Sequence, residues 1–298
     1  MQRALACLPR FLPLYGGHYS RSSLGLYSKG ARCNRSRAIM NASLEKLPLS
    51  LVLIAHNEAA NLPRCLDSAA PWCSEIIVVV NDCTDDTVAI AKRYGAQVHE
   101  QKWLGHRDQK NVALGYATQP WVLCLDADEE VTPALAASIR AFILRDDPQF
   151  AGAYFARQVF FLGRWIRHGD WYPDWSLRLL RCGRGKWGGS PEHDKMQLDG
   201  PATKLAGDLH HYSYRDMNHH LVKLPYYADI YLKRLRDKNA RWSAPTTAFR
   251  AFWRFFRCYF LRLGFLDGYP GFYIAYFQGF SALYRHTKLY EDNVRMEK

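Results

Sequence analysis

The stretch WVLCLDADEE, residues 121–130, decides the fold class of this chain. Its five leading apolar residues have the length of a buried strand and end directly at Asp126, Ala127 and Asp128. In open parallel sheets, ligands bind outside the carboxyl ends of the strands. Carboxylate oxygens suit Mg²⁺ or Mn²⁺ and bridge such a cation to phosphate. We therefore predict a metal-phosphate site at Asp126 and Asp128, although a turn with helix-capping acids fits the same pattern.

Two earlier segments repeat this geometry. Apolar runs over residues 49–55 and 75–80 end at His56-Asn57 and Asn81-Asp82, and helical patterns begin soon after each run. A strand-end acid such as Asp82 can accept hydrogen bonds from a base or a ribose, while an Asx turn explains it equally well. Strands alternating with helices predict an α/β fold with a doubly wound, mainly parallel sheet.

The composition limits the class of partner. The formal net charge is +12, but the first 44 residues contain seven Arg or Lys and no acid, so the remainder is only mildly basic. That balance suits phosphorylated ligands or an anionic membrane surface, and no basic stripe indicates nucleic acid. The eight cysteines form no metal-binding pattern, which favours reduced thiols in a cytosolic compartment.

Three regions are expected along the chain. Residues 1–46 lack periodicity and read as a disordered segment, a transit peptide or an over-extended start before Met40. Residues 47–214 carry the α/β pattern, including strands over residues 153–161 and 175–181. Residues 215–298 are rich in aromatic residues and mostly helical.

The order of the motifs resembles the inverting nucleotide-sugar glycosyltransferases of family two, which have the GT-A fold. The segments LIAHNE (53–58) and VNDCTDDT (80–87) look like that family's nucleotide-binding turns, and LDADE (125–129) looks like its metal motif. QKN (109–111) is similar to a helix that approaches the donor. The resemblance implies that the nucleotide-sugar is bound by Ala55, His56, Asn57, Glu58, Asp82, Gln109, Lys110 and Asp126.

A narrower resemblance rests on WYPDW (171–175), LRL (177–179), PEH (191–193) and HHYSY (210–214). These segments look like the lipopolysaccharide inner-core β-glucosyltransferases. The resemblance implies transfer of a hexose, glucose from UDP-glucose, to a heptose of a lipid-linked oligosaccharide, with Mg²⁺ or Mn²⁺ as cofactor. It places the protein at the cytoplasmic face of the cell membrane.

Inversion requires a carboxylate that deprotonates the acceptor hydroxyl. The candidates are Glu192, in a glycine-bounded loop, and Asp174, which could instead fix an acceptor sugar; an exposed loop acid is the plain alternative for both. Arg178 could reach phosphates from its strand, or lie on a solvated strand face. His193 is taken as a further metal ligand, and His210 and His211 are alternatives, although a histidine in an aromatic segment is more often a structural residue.

The segment FWRFFRCYFLR, residues 252–262, mixes rings and guanidinium groups at helical spacing. It predicts an amphipathic helix lying on an anionic membrane, because its arginines prevent it from spanning one. A helix packed on the catalytic domain is the alternative. Two other functions also remain open, a polyprenyl-phosphate sugar synthase and a non-catalytic sugar- or nucleotide-binding module.

Overall fold

The computed structural model describes residues 45–190 and 193–296. Residues 1–44, most of the N-terminal segment predicted for residues 1–46, therefore lie outside the described residues. The strands are β1 (Leu47–Ala55), β2 (Cys73–Val80), β3 (Gln97–Glu100), β4 (Trp121–Cys124), β5 (Glu129–Val131), β6 (Gly152–Phe161), β7 (Arg164–Trp165), β8 (Asp174–Arg181), β9 (Gly185–Ser190), β10 (His193–Leu198) and β11 (Ala202–His211). The helices are α1 (Leu62–Ala69), α2 (Thr87–Arg93), α3 (His106–Gly115), α4 (Pro133–Arg145), α5 (Met217–Arg236), α6 (Ala244–Phe256) and α7 (Gly268–Met296).

One mixed sheet organises these elements in the order β3-β2-β1-β4-β8-β6-β11-β5, with β7 added to β6. The first four strands are parallel to one another. Strand β8 then runs antiparallel to both β4 and β6, and β9 pairs with β10 in a separate hairpin. The predicted α/β sheet of GT-A type is confirmed, and its parallel half carries the three strand ends that the motifs identified.

Both faces of the sheet are covered because the strands are apolar on both sides. On β1, Leu51 and Leu53 pack against α1, α2 and α4, whereas Val52 points to the opposite face, toward α3 and the β9–β10 hairpin. Trp121 on β4 is almost fully buried in the first of these cores and contacts Phe142 of α4 edge to face. The doubly wound arrangement thus follows from the alternation of side chains along each strand.

The C-terminal helices pack against the antiparallel half of the sheet. Phe161 of β6 belongs to a third apolar cluster with Cys258, Ile274 and Ala275. The buried Asp267 carboxylate accepts hydrogen bonds from the backbone N–H groups of residues 167 and 168, which fixes the start of α7 to the loop after β7. No helix among the described residues combines the length and apolar character needed to cross a membrane.

Two elements differ from what the pattern suggests. The sequence pattern predicts that the helices after β1 and β2 begin at residues 57–58 and 84. They begin at Leu62 and Thr87 instead, because residues 57–61 and 81–86 form turns at the edge of the sheet. Strand β11 is long but polar, and Leu209 is its one fully buried residue, so it lacks the apolar run that marks β1 or β2. Its pairing with β6 and β5 is a tertiary effect that local propensity does not contain.

Candidate functional site

A cleft of about 850 Å³ opens where β1, β2 and β4 end. Its floor is formed by the residues that follow these strands, and its walls come from α3, β10, β11 and α5. The lining residues are Ile54, Ala55, His56, Glu58, Asn81, Trp103, His106, Lys110, Asp126, Ala127, Asp128, Asp194, His211, Lys223, Tyr226 and Tyr227. The three motifs, far apart in sequence, therefore meet in one cavity at the carboxyl edge of the parallel sheet.

The turns after β1 and β2 are tied to each other. Asn57 and Asp82 both have positive φ, 54° and 42°, a conformation that Asn and Asp tolerate better than most residues. The Asn57 Oδ1 atom accepts a hydrogen bond from the Thr84 N–H at 2.8 Å, and the His56 imidazole lies 2.7 Å from the Asn81 carbonyl oxygen. Asn57 thus supports the cleft from outside it, while His56 lines it.

A buried guanidinium organises the floor of the cleft. The Arg178 side chain is only 3% exposed, and its Nη2 atom lies 2.5 Å from Asp126 Oδ2 and 2.6 Å from Glu129 Oε1. Burial raises the pKa of Asp126, but Arg178 and Lys110 outweigh it and hold that pKa well below its usual range. Arg178 therefore positions Asp126 from beneath the cleft and is not part of the cleft lining.

Lys110 holds the other oxygen of the same carboxylate. Its Nζ atom lies 2.9 Å from Asp126 Oδ1 and 2.9 Å from Asp194 Oδ2, and 4.4 Å from the centre of the Trp187 ring. Helix α3 is thereby bridged to β4 and to the β9–β10 hairpin. Since Lys110 lines the cleft, its charge is available to an anionic ligand there as well.

Asp128 faces a histidine from the far edge of the sheet. His211 Nε2 lies 3.4 Å from Asp128 Oδ2, while His211 Nδ1 lies 2.7 Å from the Ser213 hydroxyl, which orients the ring. Burial opposes ionisation of Asp128, but the hydrogen bond from His211 prevails and lowers the pKa of the carboxyl. The Asp128 carboxylate supplies the oxygen ligands that Mn²⁺ and Mg²⁺ prefer, whereas the His211 imidazole is a nitrogen ligand that suits a transition metal better than Mg²⁺.

The donor set fits a divalent cation held jointly with a ligand. Neighbouring ligand atoms of an octahedral divalent cation lie about 3 Å apart. The distance between Asp128 Oδ2 and His211 Nε2 is close to this, at 3.4 Å. Both Asp126 oxygens are already paired with Lys110 and Arg178. Among the described residues, no group of three or more His, Cys, Asp or Glu is arranged to hold a metal by itself. Remaining ligands would have to come from phosphate oxygens or water.

A second pocket, of about 410 Å³, adjoins the cleft and shares Asp128, His211, Lys223 and Tyr227 with it. Asp174 lies in this second pocket, where Arg157 donates to its Oδ2 atom at 2.5 Å. A group bound in the second pocket would therefore meet a group bound in the cleft at Asp128.

The residues predicted for nucleotide-sugar binding separate into two groups. Ala55, His56, Glu58, Lys110 and Asp126 line the cleft, and burial raises the pKa of Glu58. The other four, which are absent from the cleft lining, are Asn57, Asp82, Gln109 and Arg178. Glu192 and the side chain of His193, predicted as a base and a metal ligand, lie outside the described residues.

Several lining residues carry no local signal in the sequence. Trp103 and His106 precede or begin α3, Asp194 lies on the hairpin, and Lys223 and Tyr227 are one turn apart on α5. The aromatic-rich helices therefore form part of the cavity. The spacing of Lys223, Tyr226 and Tyr227 puts them on one helix face, but that spacing alone does not show that the face borders a cleft.

This geometry defines an α/β protein that places two carboxylates and a lysine in a nucleotide-sized cleft at the carboxyl edge of its sheet. The profile of "Glycosyl transferase family 2" matches residues 50–198. A Rickettsia prowazekii (strain Madrid E) protein, "Uncharacterized glycosyltransferase RP128", is 31% identical over 256 residues, covering 81% of this chain and 86% of that protein. The chain belongs to glycosyltransferase family 2, which confirms the resemblance.

The chain is also similar, more distantly, to a curated relative and to a solved structure. "Lipopolysaccharide core biosynthesis glycosyltransferase LpsC" of Rhizobium meliloti (strain 1021) is 27% identical, over 84% of this chain and 97% of that protein. The crystal structure of S. aureus TarS 1–349 in complex with UDP-GlcNAc has a TM-score of 0.41 and 15% identity, covering 79% of this chain and 81% of that one. The second likeness is too low to say anything about ligands of this chain.

We predict that Arg178→Met destabilises the fold by about 3–5 kcal/mol, because Glu129 and Asp126 would lose the cation that compensates their buried charges. Urea unfolding measures the loss. Arg184→Met is the matched control: Arg184 is half-exposed and paired with the exposed Asp199, so its removal should cost about 1 kcal/mol or less. Equal stabilities of the two variants would contradict the role assigned to Arg178.

Proposed function

We propose that this protein is an inverting glycosyltransferase that moves a hexose, glucose from UDP-glucose, to a heptose of a lipid-linked acceptor of the lipopolysaccharide inner core. The observation that carries the proposal is the junction at Asp128, where a nucleotide-sized cleft opens into a second pocket that contains another carboxylate. Such a junction suits a donor and an acceptor that must react in line. The similarity to a relative named for lipopolysaccharide core biosynthesis supports the choice of acceptor.

The nucleoside diphosphate would lie in the cleft, with its phosphates between Lys110, Asp128 and His211. When bound there, a Mg²⁺ or Mn²⁺ ion would neutralise the leaving diphosphate as the glycosidic bond breaks. Asp128 and His211 are the residues that fit such an ion. Asp126 would act indirectly, by holding Lys110 at the phosphate position, and Arg178 holds Asp126 in turn.

The base belongs on the acceptor side. We assign proton abstraction to Glu192 and the positioning of the acceptor sugar to Asp174, which Arg157 already orients. An acceptor oxygen deprotonated by the base would attack the anomeric carbon from the face opposite the diphosphate, so that a β-linkage forms from an α-linked donor. Asp174 keeps its ion pair with Arg157 in this assignment and remains a hydrogen-bond acceptor for the sugar.

We further propose peripheral contact with an anionic membrane at the inner face of the cell membrane. The supporting feature is an aromatic surface on α6, the following turns and the start of α7. It consists of the exposed residues Phe249, Phe252, Trp253, Phe260, Leu261, Leu263, Phe265, Leu266, Tyr269, Phe272 and Tyr276. Ring contacts connect it, from Phe249–Trp253 through Tyr259–Phe265 to Phe272–Tyr276.

The charge of this surface suits anionic headgroups. Residues 243–266 contain four arginines and no acid, and the next acid, Asp267, is buried. Three of these arginines turn toward the buried Asp170 carboxylate, at 3.2 Å for Arg254, 2.8 Å for Arg257 and 3.4 Å for Arg262. One carboxylate cannot balance three guanidinium groups, so the edge of the aromatic surface stays cationic.

Asp128→Asn tests the metal-diphosphate site. We expect kcat to fall by about 100-fold or more, because the carboxylate that faces the leaving group is lost. The Mg²⁺- or Mn²⁺-dependent part of UDP binding should fall with it in calorimetry. Asp199→Asn, at an exposed hairpin position, is the control and should leave both unchanged. Unaltered metal-dependent UDP binding in Asp128→Asn would refute the assignment.

Glu192→Gln and Asp174→Asn separate the two acceptor-side carboxylates. The base assignment predicts that Glu192→Gln lowers kcat by about 10²–10⁴-fold without changing UDP affinity. Asp174→Asn should mainly raise the acceptor KM. Steady-state kinetics with varied acceptor distinguishes them. A kcat that collapses in Asp174→Asn and survives in Glu192→Gln would reverse the roles.

Vesicle sedimentation tests the membrane contact. Vesicles containing phosphatidylglycerol should bind the protein more tightly than neutral phosphatidylcholine vesicles. Replacing Phe252 and Trp253 by Ser should weaken that binding by about tenfold or more, given the apolar area both rings expose. Leu144→Ser, at an exposed apolar position on α4 outside the aromatic surface, serves as control. Equal sedimentation of the double variant and the wild type would exclude this surface.

A further inference from the structure

A third cavity, of about 210 Å³, lies between α5 and α7, behind the second pocket. The two cavities share Trp171, Tyr214, Lys223 and Tyr227 in their walls. The third cavity also reaches Arg285 on α7, which does not line the donor cleft. A ligand that fills the second pocket can therefore extend into a space that the donor does not occupy.

Two cations in this cavity lack a carboxylate partner. Among residues 45–190 and 193–296, neither Lys223 nor Arg285 forms an ion pair with an Asp or Glu. The Arg285 Nε atom donates to the Ser281 carbonyl oxygen at 3.0 Å, and its guanidinium lies 4.8 Å from the centre of the Tyr231 ring. Lys223 Nζ lies 3.4 Å from the Ser213 carbonyl oxygen. These carbonyl and aromatic partners are all neutral groups.

Two half-buried cations without a nearby anion raise the free energy of the folded protein. Burial lowers the pKa of both Lys223 and Arg285, and the nearby Arg254 lowers the pKa of Arg285 further. The negative charge of Asp128 acts on Lys223 from the cleft side, whereas the neighbour that raises the pKa of Arg285 is the phenol of Tyr231. A half-buried positive charge facing a cavity is stabilised when an anionic ligand enters, since the ligand supplies the missing counter-charge.

The remaining walls suit a carbohydrate. The rings of Trp171, Tyr214 and Phe277 offer flat apolar faces, and Gln278 adds an amide that can hydrogen-bond a hydroxyl group. Burial lowers the pKa of His220 to about 4, so this imidazole is neutral at pH 7 and adds no charge. The cavity therefore combines two cations with aromatic walls.

We propose that Lys223 and Arg285 bind a phosphate group carried by the acceptor, next to the sugar that receives the hexose. This inference rests on the proposed function and adds a chemical requirement on the substrate. Two cations match the charge of a phosphomonoester, which is between −1.5 and −2 at about pH 7. The phosphate can come from a phosphorylated oligosaccharide or from a lipid phosphate, and the two sources are separable by experiment.

The binding arm uses inorganic phosphate as probe and the full chain saturated with UDP and Mg²⁺, so that the donor cleft is filled. Calorimetry should show phosphate binding to the wild type. Arg285→Gln should weaken it by about tenfold or more, and Arg285→Lys should restore part of the affinity. Arg295→Gln, on the same helix and highly exposed, is the control and should bind like the wild type. Unchanged phosphate binding in a folded Arg285→Gln would overturn the proposal.

The kinetic arm compares a phosphorylated acceptor oligosaccharide, the same oligosaccharide after phosphatase treatment, and a polyprenyl phosphate. The wild type should show an acceptor KM about tenfold lower for a phosphorylated form, and Arg285→Gln should abolish that preference while the donor KM stays constant. A preference for polyprenyl phosphate identifies the lipid as the source. Equal transfer to the phosphorylated and the phosphatase-treated oligosaccharide would refute the phosphate site but not the proposed function. If the wild type binds phosphate but transfers a hexose to none of the acceptors, the proposed function is refuted and the phosphate site is not.

Discussion

The buried contact of Arg178 with Asp126 and Glu129 is the interaction on which the rest of the site depends. It belongs to a chain of alternating charges that runs from one pocket to the other: Asp174, Arg157, Glu129, Arg178, Asp126, Lys110 and Asp194. A buried charge without its partner is strongly destabilising, so each member fixes the position of the next. The chain joins β8, β6, β5, α3 and β10, and it places the carboxylates of both pockets relative to each other.

The same constraint explains why the catalytic fold and the C-terminal helices cannot be considered apart. Helix α5 supplies Lys223 and Tyr227 to all three cavities, and α7 contributes Arg285 to the third. Asp170 lines the second pocket while it holds three arginines from the segment beneath the aromatic surface. Under the proposed function, contact of that surface with a bilayer would bring a lipid-linked acceptor close to the second pocket.

Much of the fold was predictable from local pattern, because β1, β2 and β4 are apolar runs that end in polar motifs. The cleft residues His56 and Asp126 follow from the same signal, whereas Lys110, on helix α3, is implied only by the resemblance to the family. Arg178 shows the limit: its alternation with leucines indicates a strand, but only the tertiary structure reveals that it points inward to two carboxylates. Similarly, His211 lies 83 residues after Asp128 in sequence, and the antiparallel pairing of β11 with β5 brings the two together.

The most direct measurement is product analysis after incubating the purified protein with UDP-glucose, Mg²⁺ or Mn²⁺ and a truncated lipopolysaccharide acceptor that ends in heptose. Mass spectrometry detects a transferred hexose, and NMR coupling constants report the anomeric configuration. An inverting transfer predicts one added hexose in β-linkage. An α-linked product would contradict inversion. Absence of transfer from every UDP-sugar tried, with UDP still bound, would contradict the central claim that the cleft at Asp128 is a glycosyltransferase site.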